Sequence, residues 1–239
     1  MSAELRKLIT ARSTWLLLAI AQLVAIAGVS GLMARRDDPA NDAAQRGAIA
    51  HVGLVALFGL LIGILAMAGE YRHRTITDTF LARPRRSHVV MSKVVVSALA
   101  GAVFGLLASV TALVADAVWL AAKDSSIDLA NGVLWRTMAG GIGWNIAFAV
   151  VGVGVGALLT NLSAAVASAL AWLALVEGIV GELLGGGARW LPFALGQALV
   201  GLPEAADRPA VWQAALVLML YAALFVAAGI GVTVRRDIT

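Results

Sequence analysis

Long apolar stretches alternate with short polar ones along this chain. The apolar stretches run over about 13–34, 47–69, 94–122, 137–159, 163–184 and 209–234, with few charges inside them. About 20 consecutive apolar residues make a helix as long as the hydrocarbon core of a bilayer is thick, so each stretch predicts one membrane-spanning helix. The apolar residues run continuously rather than at every second position, which excludes the alternating strands of a membrane barrel. From 137 to 176 no charge occurs for 40 residues, which is enough for two spans. Thr160-Asn161-Leu162-Ser163 interrupts that stretch, and its polar side chains suit the end of one helix and the cap of the next. The expected fold is an all-α integral membrane protein with six transmembrane helices in one domain over 1–239.

The interruptions carry their own patterns. Residues 1–14 place Leu5, Leu8 and Ile9 at helical spacing among Glu4, Arg6, Lys7 and Arg12. That predicts an amphipathic helix lying at the membrane surface, with a plain basic tail as the alternative. The stretch 13–34 is too long for the core of a signal peptide, and Arg35-Arg36 stand where a cleavage site would lie, so it reads as a retained helix. Further on, Gly185-Gly186-Gly187 breaks the fifth span. After it, Trp190, Pro192, Phe193 and the apolar run 195–202 are too short to cross and too apolar for a free loop. They predict a re-entrant hairpin on the outer side, or an interfacial anchor using Trp190 and Trp212.

Composition agrees with the pattern: 61% of the residues are hydrophobic, 13% are charged and none is cysteine. That leaves too few charges for a soluble surface. The net charge of +4 is distributed unevenly. With six spans, one side holds eleven Lys and Arg and the other seven. The positive-inside rule then places both termini and the 70–93 loop in the cytoplasm, with the chain in the plasma or inner membrane and in contact with its lipids. The basic excess reads as orientation rather than as a nucleic-acid footprint.

Candidate chemistry is sparse. His51, His73 and His88 stand alone, which argues against a metal centre, and no catalytic constellation is evident. The three lysines, Lys7, Lys93 and Lys123, lie outside any glycine-rich loop, so the chain has no phosphate loop of its own. Gly152 and Gly156, one turn apart, read as a close helix contact rather than a dinucleotide loop. Asp116, Glu177 and Glu182 are acids within or at the edges of spans, hence candidates for proton or cation handling. Glu177 is the deepest of them, about 7.5 Å deeper than Glu182 and about 140° around the helix from it.

The 70–93 loop is the densest polar stretch. Thr75-x-x-Asp78 has the spacing of a capping box, and Ile76 and Phe80 then share one face of a short helix. Arg83-Pro84 stops that helix, and Ser87 can cap the next. An aromatic helix face flanked by Arg72, Arg74, Arg85 and Arg86 suits docking on a soluble partner; a solvated basic loop is the alternative.

Three features together resemble the permease subunits of type 2 ABC exporters. They are the Glu4-Leu5-Arg6-Lys7-Leu8 opening, the six spans, and the Glu70…Thr75…Pro84-Arg85-Arg86…Lys93 pattern. The resemblance implies a coupling helix after span two, working through Glu70, Thr75, Phe80 and the arginines beside Pro84. It further implies a dimer with a second permease copy, identical or a paralogue, served by two copies of an ATPase subunit that carries ATP and Mg. The translocation path would lie between the permeases along spans two and five, near Phe58, Met67, Trp172 and Glu177, with an outer gate near Trp190, Pro192 and Phe193. An apolar or amphiphilic substrate would move outward. One departure is Arg74, where the family commonly has Gly. The rival expectations are a proton-coupled transporter working through Glu177 or Asp116, and a non-transporting scaffold or immunity protein.

Overall fold

The computed structural model describes residues 2–35, 47–82, 85–201 and 208–235. Every regular element among these residues is helical. Six helices are long and apolar enough to cross a membrane: Arg12–Met33, Gly47–Arg72, Arg86–Ala121, Gly132–Leu158, Leu162–Trp190 and Val211–Arg235. The chain is a multi-pass helical membrane protein.

In chain order, α1 is Ser2–Thr10 and α2 is Arg12–Met33. The second span includes a 3-10 turn, His51–Val55, that leads into α3, Ala56–Arg72. A short α4, Ile76–Ala82, precedes α5, Arg86–Ala121, and α6, Gly132–Leu158. The fifth span is composite. It begins as α7, Leu162–Ala171, is wound as a π-helix over Trp172–Val180, and continues through α8, Gly181–Leu184, into a 3-10 turn, Gly185–Trp190. Pro192–Leu199 forms α9 and Val211–Arg235 forms α10.

The helix ends follow from local chemistry. Asn131 caps α6 by accepting from the Val133 N–H at 3.0 Å, and Asn161 caps α7 by accepting from the Ala164 N–H at 3.1 Å. The break expected at 160–163 is therefore there, with Asn161 as the cap. The start of α5 differs from expectation. It begins at Arg86 rather than 94, with Arg85 at the N-cap position and no side-chain cap, so Ser87 lies inside the helix and caps nothing. Lys93 had marked a loop boundary by its charge, but nothing between Arg86 and Lys93 breaks a helix. At 36 residues, α5 is roughly 54 Å long and overruns a ~30 Å hydrocarbon core.

Helix α6 is the centre of the bundle. A side chain at Gly59 or Gly63 on α3 would strike the Asn145 or Ala149 carbonyl, and one at Gly152 or Gly156 on α6 would strike the Leu60 or Ile64 carbonyl. Spans two and four therefore meet backbone to backbone; the Gly152/Gly156 spacing predicted a close helix contact, and α3 is its partner. Without a hydrophobic drive between helices in lipid, such close approach is what holds spans together. Gly101 and Gly105 seat α5 on Asn145 and Ile142, while Gly154 and Gly229 seat α6 on α10. The outlying α2 is tied to α5 by polar bridges, from Thr111 to Gln22 at 2.6 Å and from the Trp119 indole to Ser30 at 3.0 Å. One end of the bundle carries α1, α4 and the close of α10, whose Thr233 carbonyl accepts from Arg86 at 3.1 Å. The opposite end carries α9.

Candidate functional site

Four charged side chains form a closed ring where α1, α3 and α5 meet. Lys93 is only 2% exposed, and its ammonium has three donors. They go to Glu70 Oε1 at 2.5 Å, Glu4 Oε2 at 2.7 Å and the Ala66 carbonyl at 2.8 Å. Lys7 on α1 donates to Glu70 Oε1 at 2.7 Å and Glu4 Oε1 at 3.1 Å, which completes the ring. The second oxygen of Glu70 accepts from the Thr79 hydroxyl at 3.0 Å, which attaches α4. Two acids and two bases thus cancel, and every charged group has partners. Together they join the surface helix, the short helix and spans two and three.

Electrostatics favour the charged forms of Glu4 and Lys7. Burial works to raise the Glu4 pKa, but Lys93 and Lys7 outweigh it and hold the carboxyl below its usual value. For Lys7 burial acts to lower the pKa, and Glu70 and Glu4 together raise it. A cavity of about 230 Å³ adjoins the ring, walled in part by Ser13, Thr14 and Ser97.

Helix α4 hangs beneath the ring, oriented differently from expectation. Ile76 and Phe80 do share a face, but it is turned inward. They are 4% and 7% exposed and pack on Val89 with Tyr71, and Arg86 lies 5.3 Å above the Phe80 ring. The outward apolar residue is Leu81, at 79% exposure. Arg72, Thr75 and Arg85 are exposed around it, and Pro84 lies outside the described residues. Arg74, which precedes Thr75, sits at φ +57°, in the left-handed region. A glycine at this position would take that conformation without strain.

The residues suggested for a translocation path do not converge on one cavity. Phe58 packs between spans one and three, and Met67 is fully buried among Val90, Val153 and Ala157. Trp172 and Glu177 do come together, on the π-wound part of span five. The Trp172 side chain lies beside the Glu177 carboxylate, five residues apart, the spacing that i→i+5 winding brings together. Both oxygens of Glu177 also accept from the Phe193 N–H at 2.8 Å, and one accepts from Ala194 at 3.2 Å. A carboxylate thus caps the N-terminus of α9, where free N–H groups and the helix dipole favour negative charge.

Around α9 the suggested gate residues are packed. Pro192 is buried at the first position of α9, and Phe193 meets Trp144 edge to face at 5.0 Å. Trp144 itself is wedged between Gly53 and Gly196, where added side chains would overlap its ring. Trp190 is half-buried, with the Arg189 guanidinium 5.8 Å from its ring centre. Asp116 is fully buried, and neither carboxylate oxygen has a hydrogen-bond partner among the described residues. In the sequence Glu4, Lys7 and Lys93 stand as separate face, charge and boundary markers, and nothing local joins the three. The available signal was two acids and two bases in a chain otherwise poor in charge. No family model matches the chain, and no curated protein matches it.

Proposed function

We propose that this chain is the membrane-spanning subunit of an ATP-driven exporter, powered by a separate ATPase subunit that docks on the 70–93 segment. The observation that carries the reading is the closed ring of Glu4, Lys7, Glu70 and Lys93 with Thr79 attached. A docking helix is useful only if a push on it reaches the spans, and this ring links α4 to spans two and three through buried, fully paired charges. The segment faces the cytoplasm, by the excess of basic residues on its side. Two permease copies, identical or paralogous, pair with two ATPases that hold ATP and Mg. The partner engages Leu81 and the exposed Arg72, Thr75 and Arg85, while Phe80 and Arg86 hold α4 in place. The α9 hairpin lies on the outer side as part of the exit, with Glu177 as its latch, and an apolar or amphiphilic cargo moves outward.

Co-purification from native membranes tests this. The expected result is a nucleotide-binding protein retained by the wild type and lost from Leu81→Asp, with both chains equally folded. Full retention by the variant, or no such protein with the wild type, overturns the proposal. A proton-driven transporter is the second reading, and Asp116 favours it, as a buried acid in a span with no hydrogen-bond partner among the described residues. It requires the purified chain alone to move cargo under a pH gradient. An Asp116→Asn variant that transports like the wild type overturns it.

A further inference from the structure

A long groove runs along the outside of the bundle between α6 and α10, with a volume of about 1340 Å³. Its floor at the α1–α4 end is Met91 and Val94 of α5, and Val200 and Gly201 just beyond α9 border its other end. Its walls extend from Val211 to Ile230 along α10, roughly 28 Å at the helical rise. That matches the ~30 Å hydrocarbon thickness, so the groove crosses the whole apolar layer. Among its described lining residues Arg136 is the one that carries charge, and no acid is present.

The position of Arg136 gives the groove a direction. Trp212, which lines the same end, is 68% exposed and Trp135 is 50% exposed. Exposed tryptophans settle at the boundary between hydrocarbon and headgroups, so Arg136 stands at headgroup depth. It has no ion pair among the described residues. An arginine there is suited to a phosphate, which it can meet with two parallel hydrogen bonds. Below it the lining is apolar apart from Thr137. A side chain at Gly143, midway along, would meet nothing within 4 Å.

We infer that this groove is a binding site for one anionic phospholipid, with its phosphate on Arg136 and an acyl chain lying along α6 and α10. This site is separate from the ionic ring and from the proposed ATPase dock, so it stands whether or not the chain is an exporter subunit. It draws its occupant from the leaflet at the α9 end, because the charge lies only at that end.

The experiment is native mass spectrometry of the whole chain released from nanodiscs of equal phosphatidylglycerol and phosphatidylcholine. The wild type is expected to keep one phosphatidylglycerol at least five-fold over phosphatidylcholine. Arg136→Ala should abolish that preference, Arg136→Lys should restore part of it, and Gly143→Phe should remove the bound lipid while leaving Arg136 in place. Circular dichroism and gel filtration confirm that the variants are folded; if Gly143→Phe does not fold, Ala147→Leu, on the same wall, replaces it. Equal retention of both lipids by the wild type overturns the inference. So does phosphatidylglycerol retained undiminished by the groove-filling variant, which would mean adsorption to the headgroup region alone. A dimer that bears no lipid and dissociates on Gly143→Phe would mean that a second copy fills the groove, and would overturn it equally.

Discussion

Lys93 shows how far a single residue's meaning depends on its neighbours. Charge alone marks it as the end of a loop, yet it is buried inside a helix because three acceptors meet its three donors. Removing one member of a buried ionic group leaves the others uncompensated, at roughly 3–5 kcal/mol. Lys93→Met should therefore destabilise the folded protein by about that much in detergent unfolding, and Lys93→Met with Glu70→Met together by less than the sum. The same ring sets a pH window. The Glu4 pKa is lowered, so its contribution is present above 4.5 and is lost as pH falls below it through the depressed value. The Lys7 pKa is raised, so its contribution is present below 10.5 and is lost as pH rises beyond it. A spin label at Ile9→Cys, in a chain without other cysteines, should report α1 docked between those limits and mobile outside them. Arg74 works in the opposite sense. Its left-handed φ is unfavourable for a side chain by ~1–2 kcal/mol, so Arg74→Gly should stabilise the protein in the same unfolding assay. No change, or a loss, would mean that the Arg74 side chain contributes more than its backbone strain.

At the scale of elements, the fifth span is the one that departs from a plain rod. A nine-residue π-helix, a glycine turn and α9 follow one another, and Glu177 ties the first to the last. Glu177→Ala would orphan the Phe193 and Ala194 donors, a loss of about 2 kcal/mol from a charge-assisted bond. Cysteines introduced at Leu191 should then react faster with a water-soluble maleimide, while those on α6 do not. Unchanged reactivity would show that packing on Trp144 alone holds α9. The break after span five and the short apolar segment that follows it were legible in the sequence from the glycines, tryptophan and proline there. The cap of that segment was not, because the acid and the two amides it bonds are 16 and 17 residues apart and only the fold-back of the chain joins them. The orientation of α4 was half legible. Periodicity put Ile76 and Phe80 on one face, but Val89 and Arg86 of the next helix decided that this face turns inward.

For the molecule as a whole, α6 is the hub and span five lies at the margin. Spans one, five and six keep most of their surfaces outside the bundle, while more than half of the apolar core of span two and of α6 is buried. Regions with dense packing open last. Hydrogen exchange in nanodiscs should accordingly be slowest along 56–68 and 137–156, where spans two and four pack on each other, and among the spans fastest along 172–190, where π winding and exposure coincide. Exchange that is uniform across the six spans would contradict the hub. Gly152→Leu should disrupt spans two and four more than Gly31→Leu disrupts span one, since a side chain at Gly31 meets open space.

The sequence by itself determined the class and number of the spans. Length and continuous apolarity are properties of a local stretch, and a bilayer imposes the same length on each. It also determined the Asn161 break and the glycines on which spans two and four close, because capping and small-residue spacing are likewise local. Only the tertiary structure decided that Lys93 belongs inside a span, which way Phe80 points and that Glu177 serves α9. In each case the deciding partner is distant in sequence, and a charge or an aromatic ring is stable in the interior only where such a partner meets it. The charge pattern of 70–93 was visible at once. What it is attached to became visible only when Glu4 and Lys7, from the far end of the chain, closed the ring.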